Sequence, residues 1–374
     1  MAKRIVVATD SFKGSLTAAE TCRIIAETIK AERSDMEIKT IPIADGGEGT
    51  AEAMLSAMKG KWIPCRATGP LPQMRVDAGF AWFEKEKISL VEMASANGLP
   101  LLKVHQRNPL KTTTIGTGEL IKASLAKKPA KIFLAVGGSA TVDGGTGAAS
   151  VFGWRFLDEA DRPLEPCGGS LADIRKIIPP KKPLRLPGIE VLCDVENPLC
   201  GHKGAAGVFA PQKGATPKMV RQLEKGLENL AVLVRRQLGK NIDVPKAGAA
   251  GGLAAGAMAF FDAKLVSGIN RLMDYTNLSA ELKKADWVIT GEGCFDSQSL
   301  DGKVVSGITK AAKKTDTRVA VICGSLKVKQ QVYKKFGIDC AIPLKKAGQS
   351  LDYTIRNSRG LLKNAAQKFV EQYL

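Results

Sequence analysis

The chain has 374 residues, 44% of them hydrophobic, a length at which one hydrophobic core gives way to two. No run of about 18 apolar residues occurs, which argues against a membrane-spanning helix, and the start lacks the apolar segment and cleavage site of a secretory signal, so a cytoplasmic protein without a membrane partner is expected. The net charge of +18 is scattered in doublets such as Lys127-Lys128 and Arg235-Arg236, and only 5% of residues are aromatic. With few platforms for stacking bases, that charge reads as attraction for small anionic substrates rather than for nucleic acid.

The elements follow in chain order. Residues 4–8 form a short apolar strand, Thr17-Ala18-Ala19-Glu20 is a capping box, and Cys22, Ile25, Ala26 and Ile29 make one face of the helix it opens. Residues 37–43 are the next strand, completing a βαβ unit and hence a parallel, right-handed crossover. From 67 to 110 the texture changes to a meander, with strands at 76–83 and 87–91. An apolar ascent at 131–136, a Pro-rich stretch at 179–183 and the small-residue run 247–256 follow, the last read equally as packing or as a ligand-facing segment. Strands at 286–290, 318–323 and 338–342 then alternate with helices at 303–314, 327–336 and after Ser350.

Both ends therefore read as one Rossmann-like, doubly wound parallel sheet domain, residues 1–66 plus 280–374. A second α/β domain, residues 67–279, is inserted into it, with 131–150 fitting either domain.

Eight cysteines without a C-x-x-C pair read as reduced thiols, and the two histidines, His105 and His202, provide little for zinc or Ser-His-Asp chemistry. The Gly-Lys pairs lack the spacing of a Walker loop. Polar and glycine density concentrates instead where strands hand over to turns, the place where open α/β sheets bind ligands. Asp10-Ser11-Phe12-Lys13 follows the first strand, and Lys13 there can neutralise a carboxylate or phosphate. Ala44-Asp45-Gly46-Gly47-Glu48-Gly49-Thr50 offers Asp45 as a cation or hydroxyl ligand. Gly137-Gly138-Ser139 with Asp143-Gly144-Gly145 can wrap phosphate in backbone amides. Asp194, at another strand end, is a candidate general base for a substrate hydroxyl. Gly291-Glu292-Gly293-Cys294-Phe295-Asp296 brings two acids to a further strand end, and Lys303 begins the next helix, where it can meet phosphate. These residue types are the parts of phosphoryl transfer.

In this order the segments resemble the bacterial type of the glycerate kinase family. The resemblance runs over nearly the whole chain: D-S-F-K at 10–13, A-D-G-G-E-G-T at 44–50, N-P-x-x-x-T-T-x-G-T-G-E-L-I at 108–121, G-G-S-A-T at 137–141, C-D-V-x-N-P-L-x-G at 193–201, P-Q-K-G-A at 211–215, G-A-A-G-G-L at 248–253 and V-I-T-G-E-G at 288–293. It implies a two-domain α/β kinase with its active site in the interdomain cleft, using ATP and Mg2+ to phosphorylate D-glycerate. The implied product is 2-phosphoglycerate; a 3-phosphoglycerate-forming kinase and a non-catalytic binding protein of the same fold are the alternatives.

On this reading Asp194, Lys13 and Asp45 are catalytic, and Asp10, Ser11 and Lys13 meet the substrate. Gly137, Gly138, Ser139, Gly144, Gly145 and Lys303 meet phosphate, while Asp45, Asp143, Glu292 and Asp296 are the cation ligands. Three positions depart from the family pattern: Thr9 stands for a proline, Val142 for an asparagine and Cys294 for an arginine. Oligomeric state is open.

Overall fold

The computed structural model describes residues 4–300, 302–346 and 348–374, which divide into two compact units. The first comprises residues up to 45, 52–59 and 267 onward. Its five-stranded sheet runs Cys340–Pro343, Arg318–Leu326, Trp287–Phe295, Arg4–Val7, Glu37–Thr40, all parallel. The capping box forms as the sequence predicts: Glu20 N donates to Thr17 Oγ1 at 3.2 Å and Thr17 N to Glu20 Oε2 at 3.1 Å. It opens the helix Ala18–Glu32, whose Cys22, Ile25 and Ile29 are buried, and the closing helix Ser358–Tyr373 packs beside it. Trp287 anchors this core, edge-on to Phe369 at 5.2 Å, with the Arg318 guanidinium 4.3 Å from its ring centroid.

Two strands differ from the expected bounds. The one expected at 37–43 ends as a regular strand at Thr40, although Ile41 and Ile43, on either side of Pro42, still donate to the Val7 and Thr9 carbonyls. The one expected to end at 290 continues to Phe295, so Glu292 lies within a strand, opposite Cys323, and not in a turn. Gly291 permits this, since a Cβ there would lie 1.9 Å from the Ile322 carbonyl oxygen.

The second unit comprises residues 46–51 and 60–266. Its six-stranded sheet runs Lys264–Val266, Gly188–Leu192, Lys131–Ala135, Ile88–Glu92, Arg75–Phe83, Lys61–Thr68; the first four are parallel and the last two extend them as antiparallel hairpins. The meander thus begins at Lys61, ahead of the expected boundary at 67. Residues 131–135 pair on both sides within this unit, and the strand Lys264–Val266 closes it at 266, before 279. The helix Pro217–Leu238, capped by Thr216 and ended by left-handed Gly239, lays Leu223, Leu227, Leu230 and Val234 on the core. Among the described residues no helix is long and apolar enough to cross a membrane.

Candidate active site

In the first unit the carboxyl ends of the parallel strands open into a cavity of about 490 Å³. The turn after Arg4–Val7 supplies Asp10, Ser11 and Lys13. Its course is fixed by Asp10 N donating to the Gly291 carbonyl at 2.9 Å, while Thr9 places its hydroxyl 3.3 Å from Cys22 Sγ in the core. Strand Trp287–Phe295 supplies Glu292 and Cys294, and Asp296 and Lys303 follow it. Asp45 completes a wall of four carboxylates, and Lys13, Lys303, Lys327 and Lys345 also line the cavity. Cys294 is half-buried with its Sγ 3.9 Å from Asp296 Oδ2.

Crowded acids inside a protein wall hold their protons. Asp10, 8% exposed, is pushed up to about 8, first by burial and then by the neighbouring Asp45 carboxylate; its bond from Ser11 N at 2.6 Å and the Lys13 charge oppose this. Glu292 is pushed up to about 7, again first by burial, with Asp296 and Asp45 adding to it and the Ser299 hydroxyl and Lys303 opposing. Its Oε1 is buried without a hydrogen-bond partner. A cation beside these desolvated carboxylates would favour their ionised form.

In the second unit the two glycine turns meet. Val136 N and Gly137 N donate to the Gly46 carbonyl at 3.0 and 3.3 Å, and a Cβ on Gly137 would lie 2.4 Å from Gly47 Cα. Gly138 is exposed at the tip of this loop and Ser139 is buried behind it. Asp194 follows the neighbouring strand Gly188–Leu192 by two residues and is partly exposed.

The second acid-glycine turn has a different occupation from the one its sequence implies. Asp143 is fully buried, and its Oδ2 accepts from Thr114 N at 2.7 Å, Thr114 Oγ1 at 2.8 Å and Gly147 N at 3.3 Å, its Oδ1 from Gly145 N at 3.1 Å. Burial holds its pKa above the ordinary range even so. Those oxygens are engaged by donors inside the fold, which leaves the residue pinning a loop. Gly144 N is likewise spent on the Gly251 carbonyl, and both Gly144 and Gly145 are buried against Leu230, Leu253 and Gly256. Gly137 N is spent in the same way on Gly46, and Ser139 is buried with its Oγ engaged by Lys213, so Gly138 is the exposed residue of the 137–139 loop.

Of the residues singled out from sequence, Asp10, Ser11, Lys13, Asp45, Glu292, Asp296 and Lys303 share one cavity, whereas Asp143, Asp194 and the 137–145 segment belong to the second unit. Two residues escaped that reading. Lys213, only 2% exposed, donates through Nζ to Ser139 Oγ and the Thr141 carbonyl, and burial brings it down to about 7. Glu92 accepts from Ala51 N at 2.7 Å; burial, helped by Glu48, pushes it up to about 7. The acid closing an apolar strand was a visible signal for Glu92, whereas nothing local to 213 marks it as buried.

The model of the glycerate kinase family matches residues 5–374. A glycerate kinase of Halalkalibacterium halodurans is 41% identical over 366 residues, covering 97% of this chain and 96% of its own. A glycerate 2-kinase of Escherichia coli K12 is 39% identical, covering 95% and 94%. A crystal structure from Salmonella typhimurium LT2, described as a glycerate kinase 2, superposes with a TM-score of 0.84 at 38% identity, over 99% of this chain and 98% of that one. With a match along essentially the whole sequence, and parallel sheets ending in a carboxylate-lined cavity, the chain belongs to the glycerate kinase family.

Proposed function

We propose that the protein transfers the γ-phosphoryl group of ATP to the 2-hydroxyl of D-glycerate, forming 2-phosphoglycerate and ADP. The observation that carries this reading is the cavity in which four carboxylates and four lysines converge at the ends of parallel strands. Family membership narrows the substrate, and the name of the Escherichia coli relative supports the 2-hydroxyl. In the transfer the hydroxyl oxygen attacks the γ-phosphorus, the bond to the bridging oxygen breaks, and the hydroxyl proton passes to a carboxylate. Asp194 and Asp45 are the proposed carboxylates for that step. Lys13, with Ser11 and Asp10 beside it, is proposed to hold the substrate, and Lys303 with the 137–139 loop to balance phosphate charge.

Mg2+ fits the carboxylate end of the cavity, where Glu292 Oε1 lacks a partner and Asp10 resists ionisation. This ion takes one or two carboxylates and completes its shell with water and phosphate oxygens. Among the described residues no three acidic, histidine or cysteine side chains form an all-protein cage, so Asp45, Glu292 and Asp296 are proposed as the pool from which one or two ligands come. Bound there, the ion would neutralise charge on phosphate oxygens.

The test is ADP release in the presence of D-glycerate, ATP and Mg2+, with the product read by phosphorus NMR. Glycerate-dependent ADP and a 2-phosphoglycerate resonance are expected. A 3-phosphoglycerate resonance would reassign the acceptor hydroxyl, and no ADP above background would refute the kinase reading.

A further inference from the structure

The cavity of the first unit is chemically uneven, and its uneven part is unexplained by glycerate. A three-carbon hydroxy acid has no apolar part beyond its C–H groups, yet the 490 Å³ space is also lined by Leu344, Leu351 and Ile355. Leu344 is buried, following the edge strand Cys340–Pro343. Leu351 and Ile355 are four residues apart on the helix Leu351–Arg356, hence on one face, and Leu351 is 59% exposed. Leu351 thus leaves much of its apolar side chain uncovered on a cavity wall.

The sheet order sets the direction of the unevenness. Asp10 follows the strand Arg4–Val7 and Glu292 lies in Trp287–Phe295, whereas Leu344 follows Cys340–Pro343, two strands farther along the sheet from Trp287–Phe295. Two strand spacings amount to about 10 Å. The strand between the two ends supplies Gly324 and Ser325, and Lys327 and Lys345 line the same cavity. Glycine there lets the strands lie close, since a Cβ on Gly324 would sit 2.3 Å from the Gly293 carbonyl oxygen. A ligand that is planar and apolar at one end and polyanionic at the other matches this sequence of walls.

We propose that Leu344, Leu351 and Ile355 form the base-binding subsite for the purine nucleotide, with Lys327 and Lys345 taking charge from its phosphate chain. The inference rests on the phosphoryl-transfer reading above and assigns the donor's base to the first unit. Leu351→Asp separates the two ends of the ligand: the side chain is exposed, and aspartate suits the first turn of a helix, so the fold is retained. The KM for ATP should rise about tenfold or more, with the KM for glycerate held. Inhibition by inorganic tripolyphosphate, which has phosphates and no base, should keep its constant. Lys345→Ala should weaken ATP and tripolyphosphate together. An unchanged KM for ATP in Leu351→Asp overturns the subsite, as does an equal loss of ATP and tripolyphosphate in that variant. Should the wild type fail to turn over glycerate, calorimetric titration with ATP decides the matter separately: binding that Leu351→Asp removes supports the subsite, and no binding to the wild type, or binding the variant keeps, overturns it.

Discussion

Lys213 Nζ lies 2.6 Å from Ser139 Oγ and 2.7 Å from the Thr141 carbonyl oxygen, so a fully enclosed ammonium group ties a turn to a glycine loop 72 residues earlier in the chain. The loop's solvent-facing glycines, 137 and 138, take their position from this anchor on one side and from Gly46 on the other. Because burial lowers the folded pKa to about 7 from an ordinary 10.5, the unfolded chain binds one more proton than the native one between those values. Stability from this group is therefore smallest below about pH 7 and rises with pH toward 10.5. Lys213→Met removes the charge at similar length. Urea unfolding at pH 7 and pH 9 should show a shallower rise with pH in the variant than in the wild type, and turnover should fall by about tenfold or more as the loop loses its anchor. Equal pH slopes and full turnover would show the lysine to be a bystander.

Asp143 offers a sharper separation of structure from chemistry. Its two oxygens receive four donors, from Thr114, Gly145 and Gly147. Asparagine would turn an amide NH2 toward some of those N–H groups, leaving buried donors unpaired. Asp143→Asn should cost about 2–3 kcal/mol, a fall of roughly 4–12 °C in Tm for a unit of this size. Whatever protein remains folded should need the same Mg2+ concentration for half-maximal activity. A shifted Mg2+ requirement with unchanged Tm would return Asp143 to the cation.

Much of this was legible in the sequence wherever the signal is local. Thr17 and Glu20 announce their helix because both halves of the capping box lie within four residues, and the alternation of apolar strands and helices at the two ends reads directly as a parallel sheet. Glu292 was found, but in the wrong setting: glycines at 291 and 293 look like a turn, and only the pairing partner Ile322 shows that they let two strands approach. Asp143 looked like a ligand for the same reason that Asp45 did, since both stand in acid-glycine turns. What separates them is the presence of Thr114, 29 residues away, on one and an open cavity beside the other. Lys213 is the extreme case, because a lysine carries a prior of exposure and its partners lie 72 and 74 residues distant.

The small-residue run at 247–256 has a packing explanation that can be measured. Gly251, at a φ of +66°, would press a Cβ to 2.1 Å from the Thr141 carbonyl oxygen and 2.6 Å from Val142 Cα. Gly239 has a similar φ of +69° with nothing within 4 Å. Both pay the left-handed penalty on substitution, about 1–2 kcal/mol, and only the first adds a clash with backbone. Gly251→Ala should therefore lower Tm clearly more than Gly239→Ala does. Equal losses would mean that the run is set by backbone conformation alone.

Asp10 is where the demands of folding and of catalysis oppose each other. Its carboxyl is raised from 3.8 to about 8, first by burial and then by Asp45, so the native state keeps a proton that the unfolded chain has released. The stability associated with that proton is fully present below about pH 4, declines as pH rises, and is gone above about pH 8. Asp10→Asn mimics the protonated form at every pH. It should melt close to the wild type at pH 4.5 and higher at pH 8.5, by about 2–4 °C for each kcal/mol of relieved repulsion. The same variant removes a carboxylate from the cavity that Lys13 and Glu292 share, and kcat/KM should drop by about a hundredfold or more. Differential scanning fluorimetry at the two pH values, beside the ADP-release assay, reads both effects. A variant that melts lower than the wild type at pH 8.5 would show that Asp10 is ionised and paired in the native protein, and the cavity's claim on a cation would lose its electrostatic basis.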